Sequence, residues 1–113
     1  MRINITATKL VLTPALRTFI EQKLGSVAKL LKRFETKGER ELFVEVARTT
    51  AHHRHGDVFY AEVTLELPGK TFRIEETDPD ARIAIDRVKD RLKADLAAWK
   101  SSRSPKRAGR SRS

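Results

Sequence analysis

The chain has 113 residues, 39% of them hydrophobic, which suits one domain with a modest core. It has no cysteine, which excludes disulfides, thiol nucleophiles and cysteine zinc sites, and it has no apolar run near the roughly 20 residues of a membrane span. The formal charge of +9 favours an anionic partner, nucleic acid before an anionic membrane, although a solubility surface with a basic tail would give the same value. The N-terminus lacks the apolar region of a secretory signal, so we expect a cytoplasmic protein without membrane association.

The first third of the chain predicts a strand followed by a helix. Residues 2–7 alternate between apolar and polar side chains, which is typical of a half-buried strand. Residues 13–34 predict a helix, because Thr13 is a suitable N-cap, Pro14 is favoured at the first helical position, and apolar residues then recur at helical spacing. Gly25 lies inside this helix, where it either weakens the helix or indicates close packing.

The central segment predicts three strands joined as an antiparallel meander. Alternation recurs in residues 39–49, 57–67 and 70–76, and a Pro-Gly turn separates the last two strands. One face of this sheet should be apolar and the other acidic, with these side chains outward: Glu41, Phe43, Glu45, Tyr60, Glu62, Thr64, Glu66 and Glu75. An acidic face is a poor platform for RNA, so the helical side is the better candidate for a nucleic-acid surface.

The last third predicts a second helix and a basic tail. Residues 77–100 have helical apolar spacing, with Thr77 or Asp78 as the cap and Pro79 in the first turn. Residues 101–113 contain five basic side chains and no acid, so we expect a disordered basic tail after a domain that spans residues 1–100. The order β-α-β-β-β-α predicts an α+β fold, with a four-stranded sheet and two helices packed on one face.

Basic side chains on the two helices are the candidate RNA contacts. The second helix has a basic stripe beside its apolar stripe and two further cations on the other side, in this order: Arg82, Lys89, Lys93 and Lys100, then Arg87 and Arg91. The first helix adds Lys23, Lys29, Lys32 and Arg33. Helices packed side by side would line a shared groove that binds phosphates without reading sequence. Alternatively these cations are only solvated, with Asp86 paired to Lys89 and Asp90 to Lys93.

All three histidines of the chain lie at positions 52–55, in the connection between the two longest strands. His53, His55 and Asp57 alternate, so in an extended arm they could bind a divalent metal. We interpret the segment instead as a polar hairpin tip, in which His53, Arg54 and His55 add a secondary RNA contact. The chain has no Gly-rich phosphate loop and no H-E-x-x-H motif. We therefore expect no enzyme, metal, cofactor or small-molecule substrate, and a metal-dependent hydrolase remains a minor alternative.

Three segments together resemble a known family. They are the opening "RINITATKLVLTPALRTFIEQKL", the meander "LFVEVARTTAHHRHGDVFYAEVTLELPGKTFRIEE" and the helix "DPDARIAIDRVKDRLKADLAAWK". In this order and spacing, over residues 1 to about 100, they are similar to the ribosome hibernation-promoting factors. This family is also called ribosome-associated inhibitor A or the sigma-54 modulation family. Arg82 departs from the pattern, because the family usually has tyrosine at this position.

The resemblance implies a domain related in shape to the double-stranded RNA-binding domain. It implies that the chain binds 16S rRNA in the mRNA and tRNA channel of the small ribosomal subunit, and that it blocks translation under stress or in stationary phase. Basic helix residues carried over from the family are Lys23, Lys29, Arg82, Arg87, Lys89, Arg91 and Lys93. We expect a short-type factor that is monomeric off the ribosome. The alternative is a general double-stranded RNA-binding protein without a ribosomal target.

Overall fold

The predicted β-α-β-β-β-α order is confirmed, and with it the α+β fold class. A computed structural model describes residues 1–33, 40–49 and 58–103. Its elements are β1 (Arg2–Thr8), α1 (Pro14–Arg33), β2 (Glu41–Thr49), β3 (Val58–Leu67), β4 (Lys70–Asp78) and α2 (Ala81–Arg103). The last helix therefore continues past residue 100, the predicted end of the domain.

The four strands form a single sheet in the order β1-β2-β3-β4. β1 pairs with β2 in parallel, because α1 crosses over between them, and β2, β3 and β4 form the predicted antiparallel meander. The Pro68-Gly69 turn joins β3 to β4 where Leu67 faces Lys70. Gly69 has a φ of 79°, a left-handed conformation that glycine adopts without steric cost.

Both helices pack on one face of the sheet and share its core. Burial alternates along β2, β3 and β4, and each helix buries one apolar stripe. The fully buried large side chains come from both helices and the sheet: Ile20, Leu24, Val27, Leu42, Val44, Val46, Val63, Leu65, Ile85, Val88, Leu92 and Leu96. In the part of the chain that the structure describes, neither helix is long and apolar enough to cross a membrane.

Gly25 does not indicate close packing of α1. A Cβ atom built at this position would meet no atom within 4 Å. The alternative of close packing is therefore wrong, and the glycine lowers the helix propensity of α1 by about 1 kcal/mol relative to alanine.

The cap of α1 is as predicted. The Leu16 amide donates a hydrogen bond of 3.1 Å to Thr13 Oγ1, and the Arg17 amide donates one of 2.9 Å to the Thr13 carbonyl. The Thr13 hydroxyl therefore satisfies the Leu16 amide, which would otherwise have no partner at the start of the helix, and the Thr13 carbonyl accepts the first regular hydrogen bond of the helix.

The cap of α2 was predicted wrongly. Asp80 caps this helix, since its Oδ1 accepts a hydrogen bond of 2.9 Å from the Arg82 amide. Thr77 and Asp78 instead extend β4, opposite β3. The physical reason is tertiary: Asp78 pairs with Phe59 of β3, and its Oδ2 accepts a hydrogen bond of 2.8 Å from the Asp80 amide, so the helix begins only after Asp80.

Candidate nucleic-acid interface

The open face of the sheet is acidic. Glu45, Glu62 and Glu75 lie directly opposite one another on three neighbouring strands. Like charges in this arrangement repel, and Arg73 offsets part of the repulsion through ion pairs with Glu62 and Glu75. None of the side chains predicted to point outward is buried. The prediction of an acidic open face is therefore confirmed, and this face disfavours RNA phosphates.

Tyr60, the single tyrosine of the chain, lies beside this acidic row, and its pKa responds to the row's charges. Burial, and next the charges of Glu62 and Glu75, raise the pKa of Tyr60 to about 12 from its ordinary value of 10. The unfolded chain should lose this proton at about pH 10, whereas the folded chain keeps it. We therefore expect the free energy of unfolding to fall as the pH rises from about 10 to about 12.

A spectrophotometric titration of tyrosinate should find a midpoint near 12 in the folded protein. The substitution Glu62→Gln should lower this midpoint, because it removes a nearby negative charge. A midpoint near 10 in the folded wild type, or no change in Glu62→Gln, would contradict the described environment of Tyr60.

The side of α2 that faces α1 contains the predicted basic stripe. The Arg82 guanidinium lies 4.9 Å from the centroid of the Phe19 ring, and Lys23 Nζ lies 3.4 Å from Asp86 Oδ1. Because Phe19 precedes Lys23 on α1 as Arg82 precedes Asp86 on α2, the two helices run parallel here. The expected side-by-side packing is confirmed at these contacts. We name the surface between the helices the interhelical groove, formed by Phe19, Lys23, Arg82, Asp86, Lys89 and Lys93.

Asp86 links the cations of the interhelical groove. Its Oδ1 lies 3.4 Å from Lys23 Nζ and 3.1 Å from Lys89 Nζ. The hydrogen bond from Lys89, and then the charge of Lys23, lower the pKa of Asp86. Hydrogen bonds to Asp90 and then to Asp86 raise the pKa of Lys89. Both groups therefore remain charged at neutral pH.

Part of the alternative interpretation, in which helix cations pair with neighbouring acids, is correct. Asp86 pairs with Lys89 as expected, but Asp90 also pairs with Lys89, at 2.7 Å, rather than with Lys93. Within the described residues, no carboxylate pairs with the ammonium groups of Lys29, Lys32 or Lys93. Lys29 and Lys32 are exposed on α1 and Lys93 is half-buried, so these three cations are available for phosphates.

Arg87 and Arg91 lie on the opposite flank of α2, beside β4. Arg87 Nη1 lies 3.1 Å from Asp78 Oδ1, and Arg91 Nη1 lies 2.6 Å from Glu76 Oε2. Arg91 also donates a hydrogen bond to the Glu75 carbonyl. Both side chains are about half exposed, at 53% and 55%. They therefore hold α2 against β4 as well as presenting positive charge, and the predicted RNA contacts on α2 occupy two separate flanks.

The remaining candidate residues are at element ends or outside the described residues. Arg33 is the last residue of α1, and Lys100 is exposed near the end of α2. The proposed hairpin-tip contacts, His53, Arg54 and His55, lie outside the described residues, as does most of the basic tail. Among the residues that are described, no group of three or more histidine or acidic side chains could hold a metal.

Sequence reasoning did not identify Phe19 as part of the site. Phe19 is half-buried, and the Arg82 guanidinium and Lys23 Nζ lie 4.9 Å and 5.5 Å from its ring centroid. A signal was present, because Phe19 is an aromatic residue at the edge of the apolar stripe of α1. Its position over the neighbouring helix could be known only from the packing.

The chain is similar to one protein family over most of its length. A family model described as sigma 54 modulation protein / S30EA ribosomal protein matches residues 3–104. A protein of Lactococcus lactis named ribosome hibernation promotion factor is 29% identical over 110 residues, 96% of this chain and 55% of the relative. A protein of the same name from Picosynechococcus is 29% identical over 101 residues, 88% of this chain and 49% of the relative. The chain thus spans about half the length of the curated relatives it matches.

Solved structures have the same fold. The Thermus thermophilus Protein Y N-terminal domain superposes with a TM-score of 0.63 at 32% identity, over 88% of this chain and 99% of that one. A ribosomal subunit interface protein from Coxiella burnetii superposes with a TM-score of 0.67 at 19% identity, over 88% of this chain and 98% of that one. The expectation that the chain is not an enzyme agrees with these similarities, since the named relatives are hibernation factors.

Proposed function

The chain belongs to the sigma 54 modulation protein / S30EA ribosomal protein family, and from that premise we propose that it silences translation by binding the ribosome. Its target is the 16S rRNA of the small subunit, in the channel that mRNA and tRNA otherwise occupy. It acts in the cytoplasm, under stress or in stationary phase, and is monomeric off the ribosome. The names of its relatives, ribosome hibernation promotion factor, support this proposal.

The opposite charges on the two faces of the domain are the structural observation that supports RNA binding. The helical face presents the interhelical groove together with Lys29 and Lys32, whereas the open sheet face has a row of three carboxylates. An RNA channel attracts the first face and repels the second. The domain therefore enters such a channel in one orientation, with its helices toward the phosphates.

Occupancy explains the inhibition without any catalytic step. Ammonium groups neutralise backbone phosphates and release counterions, so affinity comes from the shape and charge of the rRNA rather than from base sequence. The folded domain then fills the space that the mRNA and tRNA need. The basic segment after α2 is proposed to follow RNA phosphates along the same channel, and His53, Arg54 and His55 to add a secondary contact.

The test is binding of the protein to purified small ribosomal subunits, together with its effect on tRNA. We expect the protein to sediment with the small subunit, to be released as salt rises, and to reduce tRNA binding and in vitro translation. The control is an arbitrary RNA duplex in the same buffer, which should bind more weakly. Equal affinity for the duplex and the subunit, with tRNA binding unchanged, would instead support the general double-stranded RNA-binding alternative.

A further inference from the structure

A shallow cleft lies at the start of the helix pair, at one end of the interhelical groove. It has a volume of about 420 Å³, and its lining residues are Pro14, Ala15, Thr18, Phe19, Gln22 and Arg82. Five of these residues belong to α1, and Arg82 reaches the cleft from the first turn of α2. The lining combines an aromatic ring, a guanidinium, an amide and a hydroxyl. RNA-binding proteins use these groups to recognise unpaired bases, by stacking and by hydrogen bonds to base edges.

Arg82 differs from Arg17, Arg87 and Arg91, the other helix arginines whose side chains the structure describes. Arg17, Arg87 and Arg91 each pair with a carboxylate, namely that of Glu21, Asp78 and Glu76. Within the described residues no carboxylate pairs with the Arg82 guanidinium, which is instead held over the ring of Phe19.

The contact with Phe19 prepares Arg82 for stacking. The Arg82 guanidinium carbon lies 4.9 Å from the centroid of the Phe19 ring, and the side chain remains exposed to solvent. A guanidinium is planar and weakly hydrated, so a second flat group can stack on its outer side. Lysine in the same position would keep the positive charge but has no planar group on which a base could stack.

We propose that this cleft binds one unpaired nucleobase of an RNA strand. The base stacks on the outer side of the Arg82 guanidinium, with Phe19 beneath it, and its edge meets the Gln22 amide and the Thr18 hydroxyl. The inference rests on the proposed function in one respect, that the ligand of the helical face is RNA. It adds a base contact to a surface whose other cations bind phosphates alone.

Two short single-stranded RNAs of equal length test the proposal, one of adenylates and one abasic with the same phosphates. Because a stacked base adds affinity that the abasic strand lacks, wild type should bind the adenylate strand about tenfold more tightly than the abasic strand. Arg82→Lys should reduce this ratio to near one, because lysine keeps the positive charge but has no planar group on which a base can stack. Arg17→Lys is the matched control, because Arg17 lies on α1 outside the cleft, and it should keep the wild-type ratio.

Two results would overturn the proposal. They are a ratio near one in wild type, and an unchanged ratio in Arg82→Lys, whether or not both affinities fall together. Phe19→Leu should also reduce the ratio. If this variant does not fold, Arg82→Lys still tests the proposal, because Arg82 is exposed. Sedimentation with small subunits separates this inference from the proposed function. A wild-type ratio near ten without subunit binding supports base binding in the cleft and contradicts the proposed function. Subunit binding with a ratio near one supports the proposed function and contradicts base binding in the cleft.

Discussion

Reversing the charges of Lys29 and Lys93 together should weaken binding to the small ribosomal subunit by about a hundredfold at moderate salt. Both are helix cations, and no carboxylate among the described residues pairs with them. In Lys29→Glu with Lys93→Glu, two phosphate contacts become repulsions, yet no described ion pair is broken. The negative slope of log affinity against log salt should also become shallower by about two. The measurement is a titration of fluorescently labelled protein with small subunits at several salt concentrations.

The matched control changes the net charge equally, at two positions that do not belong to either helix. Lys9 lies in the loop after β1 and Lys70 begins β4, and both are exposed. Lys9→Glu with Lys70→Glu should therefore retain most of the affinity, losing only the long-range attraction that salt screens. If both double variants bound the subunit equally, net charge alone would explain the binding and the helical face would not be the interface.

Asp86→Asn should act in the opposite direction. It removes the carboxylate that partly neutralises Lys23 and Lys89, so affinity for the subunit should rise several-fold. Arg87 and Arg91 are poorer positions for such a test. Their substitution by glutamate would also break the ion pairs with Asp78 and Glu76, and a loss of binding could then come from displacement of α2.

Truncation of Leu92 should destabilise the fold by about 2–5 kcal/mol. Leu92 is fully buried on α2, and its loss leaves a cavity between the helix and the sheet. Domains of this size are stable by only about 5–15 kcal/mol, so Leu92→Ala removes a large part of the total. Urea unfolding can be followed by the fluorescence of the single tryptophan, Trp99, which packs edge-on against Phe72 at 5.8 Å.

Val11→Ala provides the control for this prediction. Val11 is an apolar side chain that is 78% exposed, so its truncation should change the free energy of unfolding by less than about 0.5 kcal/mol. Equal losses in Leu92→Ala and Val11→Ala would contradict the described core. A changed slope of the free energy against urea would instead indicate an altered denatured state.

The sequence was sufficient to predict the order of the elements and the face that each one buries. Alternation in the strands identified Val44 and Val63 as inward and Glu62 as outward, and helical spacing identified Leu92 as core. These inferences succeed because burial depends on the position of a residue within its own element. The cap of α2 was predicted wrongly because the pairing of Asp78 with Phe59 extends β4 up to the helix, a contact between strands that local capping preferences do not contain, and Asp80 then caps the helix.

The functional surface could be predicted only in part. Sequence spacing placed Lys89 beside Asp86, because the two are three positions apart on one helix. The contacts of Lys23 with Asp86, Arg82 with Phe19 and Arg91 with Glu76 join residues of different elements. Periodicity gives the direction of a side chain from its own helix but not the distance to a charge on another element. The sequence alone therefore determined which residues are basic and on which helix they lie, and only the tertiary structure decided which of them pair with residues of another element.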